Sequence, residues 1–170
     1  VCHKRGLDCE GVDIYDDVLG ALAPILSRDK LHQANDILDF QPGCTYDVVT
    51  MWGVLEHLPD TQNIFHKCFD LLNDNGIIIA LIPNIHSRAA RYLGVSVPTL
   101  NPREHVNFYS QKSLKKVASQ AGLIVENVLN ELPVIDLMWP FIDQSDSMVI
   151  EDIISNHEAY YLVYILRKNN

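Results

Sequence analysis

The segment GIIIALIPN, Gly76 to Asn84, narrows the choice of fold more than any other part of this chain. Its run of branched apolar residues offers no polar face, so it suits a strand covered on both sides within a parallel sheet. The run is far too short to cross a bilayer as a helix. Strand candidates at Leu7–Ile14, Leu31–Ala34 and Tyr46–Trp52 precede it, and Leu123–Leu129 and Tyr160–Arg167 follow. Between them, Asp16–Leu26, Thr61–Leu72 and Gln111–Ala121 place apolar residues at helical spacing. Pro24 weakens the end of the first helix and Gly122 stops the third. Gly76 is expected to supply the turn after the second. This alternation reads as an α/β chain with a mostly parallel sheet, folded as a single domain over residues 1–170.

Composition acts mainly by exclusion. The net charge is −9 and no block of Lys or Arg is visible, which argues against a nucleic-acid surface but not against a small-molecule substrate. The four cysteines, Cys2, Cys9, Cys44 and Cys68, are scattered without a CxxC pair. That disfavours a disulfide framework or a zinc knuckle and makes a reducing, cytoplasmic setting the expectation. No membrane span is read, and the basic residues near the start are not followed by the apolar core of a signal peptide.

Ligands of open α/β sheets bind at the carboxyl ends of the strands, so the residues just after each strand carry the functional reading. Asp13 ends the first strand, where a carboxylate can accept hydrogen bonds from ribose hydroxyls; a helix cap or solvated turn is an equal reading. Asp36 follows the second strand and is either a partner for an adenine amine or an Asx turn within NDILD. MWGVLEHLPD, Met51 to Asp60, follows the third. There Gly53 permits close backbone approach, and Glu56 and His57 are expected on the first turn of the next helix. Imidazole titrates near neutrality, which makes His57 a candidate general base; an ordinary helix start is the alternative. Asn84 ends the central strand and could position a substrate. In NPREHVNFYS, Asn101 to Ser110, His105 is a cleft residue or a satisfied loop histidine, and Ser110 is a good helix cap.

Taken in order, EGVDIYDD, NDILDF, YDVVTMWGVLEHLPD, LLNDNGIIIALIPN and REHVNFYSQKSLKKVASQAGLIVENV resemble the class I S-adenosylmethionine-dependent methyltransferases. The branch most similar is that of the ubiquinone-pathway O-methyltransferases. The resemblance covers most of Leu7 to Val128. It implies a Rossmann-like sheet in the order 3-2-1-4-5-7-6 with the last strand antiparallel. It also implies S-adenosylmethionine as cofactor and methyl transfer to an O or N nucleophile of a small molecule. By position, Asp13 would hold the cofactor ribose with Ile14 beside it, and Asp36 and Ile37 would flank the adenine. Met51, Trp52 and Gly53 would line the methionine side. Glu56, His57 and His105 would face the methyl-transfer site. Some relatives bind a divalent metal through a Glu-x-x-Glu-His motif and a later His. Here Gly53 replaces the first Glu and leaves Glu56, His57 and His105; three ligands can hold a metal, but the missing carboxylate weakens that reading and no metal site is assigned.

The same resemblance exposes a departure. The family's glycine-rich cofactor loop after strand one has no counterpart, because no two of the eight glycines form a GxG. VCHKRGL reads as the tail of the helix that follows that loop, so the chain is expected to be N-terminally truncated, without strand one. Two other classes therefore stay open. One is a non-catalytic methyltransferase-like binding or assembly domain; the other, a nicotinamide-dependent oxidoreductase, fits VLEHLPD poorly. The acceptor is expected to be set by insertions at Ile85–Arg103 and Glu131–Glu158; there Met138, Trp139 and Phe141 are expected in core or dimer packing, with an apolar acceptor pocket as the alternative. A homodimer stays open.

Overall fold

The computed structural model describes residues 2–131 and 147–169. The expected apolar cluster of Met138, Trp139 and Phe141 lies outside the described residues. The chain forms two compact units, Val1–Cys44 and Thr45–Asn170.

In the first unit, β1 (Gly11–Asp13) pairs in parallel with β2 (Leu31–Gln33), and α1 (Asp16–Leu22) connects them. The strand expected from Leu7 is confined to three residues, and Leu7 itself is exposed. The helix expected to reach Leu26 ends at Leu22, because Pro24 has no N–H to continue the ladder. Leu19, Leu31 and Phe40 form the buried part of this unit.

The second unit is built on a four-stranded sheet in the order β3-β4-β6-β5. These strands are β3 (Tyr46–Trp52), β4 (Leu72–Pro83), β5 (Leu123–Glu131) and β6 (Tyr161–Lys168). β3 and β4 are parallel, whereas β6 runs antiparallel to both β4 and β5. The connections are α2 (Thr61–Leu71), α3 (Arg88–Leu93), α4 (Gln111–Gln120) and α5 (Ser147–Ser155). The α/β expectation therefore holds. The two strand sets correspond to the 3-2 and 4-5-7-6 portions of the expected order, with the last strand antiparallel as expected. Among the described residues no strand precedes β1, and β3 lies at the edge of its sheet.

Alternation places one face of β4 fully inside. Ile78, Ala80 and Ile82 are at most 1% exposed, whereas Ile77, Ile79 and Leu81 are half-buried. Cover on both faces was expected; it is complete on one face and partial on the other. Helix α2 turns Ile64, Phe65, Cys68 and Leu71 inward, and α4 buries Leu114 and Ala118. Burial pushes the Cys68 thiol up to about 12, which leaves it a small apolar filler rather than a nucleophile. Ser110 and Ser113 form a reciprocal capping box at the start of α4, so the expected cap is present.

Gly76 corrects one expectation. It does not make a positive-φ turn but lies inside β4, which starts at Leu72. A Cβ there would meet the Tyr46 carbonyl oxygen at 2.9 Å and that of Asn73 at 3.1 Å, so the position is small because backbones approach closely. Gly76→Ala is expected to lower stability by about 1–3 kcal/mol in urea unfolding. An unchanged unfolding midpoint would mean that the Tyr46 carbonyl yields freely.

Candidate active site

The site begins where β3 stops. Gly53 adopts φ +63°, and its N–H donates to the Leu81 carbonyl at 3.1 Å, so the ladder with β4 runs one residue further before the chain turns away. A Cβ on Gly53 would meet only Glu56 Oε1, at 3.5 Å, so the glycine is required by its left-handed backbone rather than by crowding. Glu56 and His57 do not lie on the first turn of the next helix, as expected. They sit on a separate 3-10 turn, Leu55–His57. Pro59 forces Leu58 into an extended conformation (φ −99°, ψ 122°), and α2 starts only after Asp60, whose carboxylate accepts from the Asn63 N–H.

A second segment, the loop before α4, is stapled to this turn. The Glu56 carbonyl accepts from the N–H groups of Val106 (2.9 Å) and Asn107 (3.1 Å). Asn107 Nδ2 donates to the Leu58 carbonyl at 2.5 Å. The Tyr109 hydroxyl donates to the Leu55 carbonyl at 3.1 Å, which leaves the Thr61 hydroxyl as donor in their shared 2.5 Å bond. Burial, and to a smaller degree the Glu56 charge, hold the Tyr109 phenol above its ordinary value against the lowering effect of the Thr61 bond. Tyr109 is a framing residue here, fixing the loop to the turn.

This stapling brings Glu56, His57 and His105 together. Each offers a carboxylate oxygen or an imidazole nitrogen, and these atoms lie within 4.8 Å of one another. The two imidazoles meet edge-on, with ring centroids 4.7 Å apart. His57 Nδ1 lies 2.7 Å from the Glu104 carbonyl and His105 Nδ1 lies 2.8 Å from the Thr99 carbonyl. A carbonyl can only accept, so both rings carry a proton on Nδ1, and in the neutral ring the lone pair is the one on Nε2. Glu56 is only 3% exposed, and its Oε2 has no hydrogen-bond partner among the described residues. One buried unpaired carboxylate oxygen beside two oriented imidazoles is a donor set that fits a divalent cation or a proton-transferring acceptor.

The remaining expected residues are distributed as follows. Met51 is buried, Trp52 is 57% exposed, and both belong to the second unit. Asp13, Ile14, Asp36 and Ile37 belong to the first. Asp13 ends β1 and accepts from the Tyr15 N–H at 2.8 Å; Asp36 accepts from the Leu38 N–H at 2.9 Å and caps a short 3-10 turn, Ile37–Asp39. Both carboxylates thus form Asx turns. Ile14 is exposed and Ile37 half-buried. Asn84, read as a substrate contact, has its side chain engaged by the protein: its Nδ2 donates to the His157 and Ala159 carbonyls and its Oδ1 accepts from the His86 N–H.

A concavity of about 370 Å³ near Asn84 is lined by His86, Arg91 and Lys112, among others, and by none of Glu56, His57 and His105. Sequence reasoning missed Tyr161. Its phenol is raised chiefly by burial, then by Tyr160 and by the Glu56 charge, so it stands close enough to feel the carboxylate. As one residue of an alternating strand it carries no separate signal.

The family profile described as methyltransferase domain matches residues 1–128. Among curated proteins, the ubiquinone biosynthesis O-methyltransferase of Methylococcus capsulatus is 28% identical over 133 residues, covering 71% of this chain and 55% of the relative. That of Psychrobacter arcticus is 24% identical over 139 residues, covering 74% and 54%. The chain spans about half the length of the curated relatives it matches. Among solved structures, an S-adenosylmethionine-dependent methyltransferase from Thermotoga maritima superposes with a TM-score of 0.68 at 14% identity, covering 99% of this chain and 76% of that one. An O-methyltransferase from neocarzinostatin biosynthesis, in complex with S-adenosyl-L-homocysteine and 1,4-dihydroxy-2-naphthoic acid, superposes with a TM-score of 0.59 at 12% identity, covering 94% and 42%.

The lone Glu56 oxygen makes a direct test available. Glu56→Gln removes a buried charge while keeping the side-chain shape, so the metal-free protein is expected to gain about 1 kcal/mol, read as a higher Tm. A lower Tm would show that the carboxylate is already compensated.

Proposed function

This chain belongs to the methyltransferase-domain family, and on that premise we propose that the protein it represents transfers a methyl group from S-adenosylmethionine to an oxygen or nitrogen nucleophile of a small molecule. The observation that carries this reading is the gathering of Glu56, His57 and His105 at the end of β3, with both imidazoles fixed so that Nε2 is free to take a proton. The names of the curated relatives favour an oxygen acceptor.

Bound S-adenosylmethionine supplies an already activated sulfonium methyl. The residues of this chain then have three tasks. Asp13 and Ile14 would hold the ribose, with Asp36 and Ile37 about the adenine. Met51, Trp52 and Gly53 would line the methionine side, where the glycine leaves the backbone open to approach. His57 or His105 would take the acceptor proton through Nε2, in a site that aligns the nucleophile and excludes water. In place of a histidine base, the same three side chains fit a divalent ion: Glu56 Oε2, His57 and His105 would hold it, and it would acidify an acceptor hydroxyl.

A second reading is a methyltransferase-like binding or assembly domain that no longer uses the cofactor, in which Asp13 and Asp36 only close their own turns. Calorimetry of the full-length gene product with S-adenosylmethionine separates the two, since the second reading requires no binding. For the first, His57→Ala is expected to cut turnover by roughly 10²–10⁴-fold while leaving cofactor affinity intact. Wild-type turnover in that variant would remove His57 as the base.

A further inference from the structure

We propose that Tyr160 is a positioning residue for His105, acting through the backbone of Thr99; the proposal rests on the reading of His105 as a group of the methyl-transfer site. The segment between β4 and α4 contains α3 and ends in the loop that carries His105. It is held along its length by the short stretch that leads into β6. The Arg88 N–H donates to the Glu158 carbonyl at 2.8 Å, and the Arg88 guanidinium pairs with both Asp152 and Glu158. Arg91 pairs with Glu158 as well.

The last of these ties reaches the site. The Thr99 N–H donates to the Tyr160 hydroxyl at 3.1 Å, and the Thr99 carbonyl accepts from His105 Nδ1 at 2.8 Å. Thr99 is 7% exposed and Tyr160 is 6% exposed, so water does not readily replace either partner. Thr99 also sits inside a turn closed by the Leu100 N–H on the Val97 carbonyl at 3.0 Å. That bond fixes the peptide plane bearing the Thr99 carbonyl, because carbonyl and following N–H share one plane. The Tyr160 hydroxyl fixes the preceding plane. The two together aim a carbonyl at His105 and select its Nδ1–H form, leaving Nε2 as the acceptor. The Tyr160 ring is itself seated edge-on against Tyr161, with centroids 5.0 Å apart. Removing the hydroxyl alone therefore leaves the ring in place and a buried Thr99 N–H without its partner.

Tyr160→Phe in the full chain tests this. Ring ¹⁵N spectra, assigned with a His105 variant, are expected to show His105 as the Nδ1–H tautomer in the wild type and as a mixture in Tyr160→Phe. Thr99→Ala keeps both backbone groups and is expected to retain the wild-type tautomer. In the full-length gene product, Tyr160→Phe is expected to lower kcat about tenfold with KM for the cofactor unchanged, by analogy with the about 10–100-fold losses seen when a group orienting a metal-ligating histidine is removed. An unchanged His105 tautomer in Tyr160→Phe would overturn the proposal. Should that variant fold poorly, amide exchange in the wild type decides: a protected Thr99 N–H supports the tie, and one exchanging like an exposed loop amide refutes it. Wild-type turnover in His105→Ala would instead remove the chemical role of His105 and leave the link between Tyr160, Thr99 and His105 standing.

Discussion

The Glu56 carbonyl accepts two backbone donors, from Val106 and Asn107, and the candidate site depends on that pairing. It joins segments about fifty residues apart in sequence without using a side chain. The turn after β3 then presents its carboxylate inward and its imidazole outward, while the opposite loop brings His105 against His57. Thr61, Tyr109 and Asn107 add side-chain bonds around the same junction. Buried polar junctions of this kind specify one arrangement, because any shift leaves several donors or acceptors without partners.

The same junction explains why a carboxylate can sit nearly buried with one oxygen unmatched. Folding has placed the Glu56 backbone where two N–H groups need its carbonyl, and the side chain follows from that placement. The phenols of Tyr109 and Tyr161 are both pushed above their ordinary values, chiefly by burial and in smaller part by the Glu56 charge. An unmatched buried oxygen costs stability, and the fold tolerates it because the surrounding hydrogen bonds over-determine the arrangement.

Much of the fold was legible in the sequence. YDVVTMW is bounded by Thr45 and a glycine, and β3 spans the segment expected. Boundaries slipped where local chemistry overrode periodicity. Pro24 shortened α1, and NDNG became an irregular part of β4, where the register with β3 jumps from Leu72 to Ile77 and Gly76 lets backbones approach closely. The site was legible as a set of residue types, and Glu56, His57 and His105 do come together. What could not be read was how: the acceptors that orient both histidines are main-chain carbonyls of Glu104 and Thr99, which leave no signature in residue identity. Asp13 and Asp36 illustrate the converse. Their turn geometry was among the readings, and a carboxylate engaged by one N–H still has acceptor capacity for a ligand.

The position of β3 at the edge of its sheet bears on what can pair with it. Val48 and Trp52 stand 46% and 57% exposed, and Asp47 is the one charge within the strand. The strand contains neither lysine nor proline, the residues that commonly blunt such an edge. Among the described residues its outer edge is where a further extended segment can add to this sheet, and such an addition would extend the ladder that β4 begins.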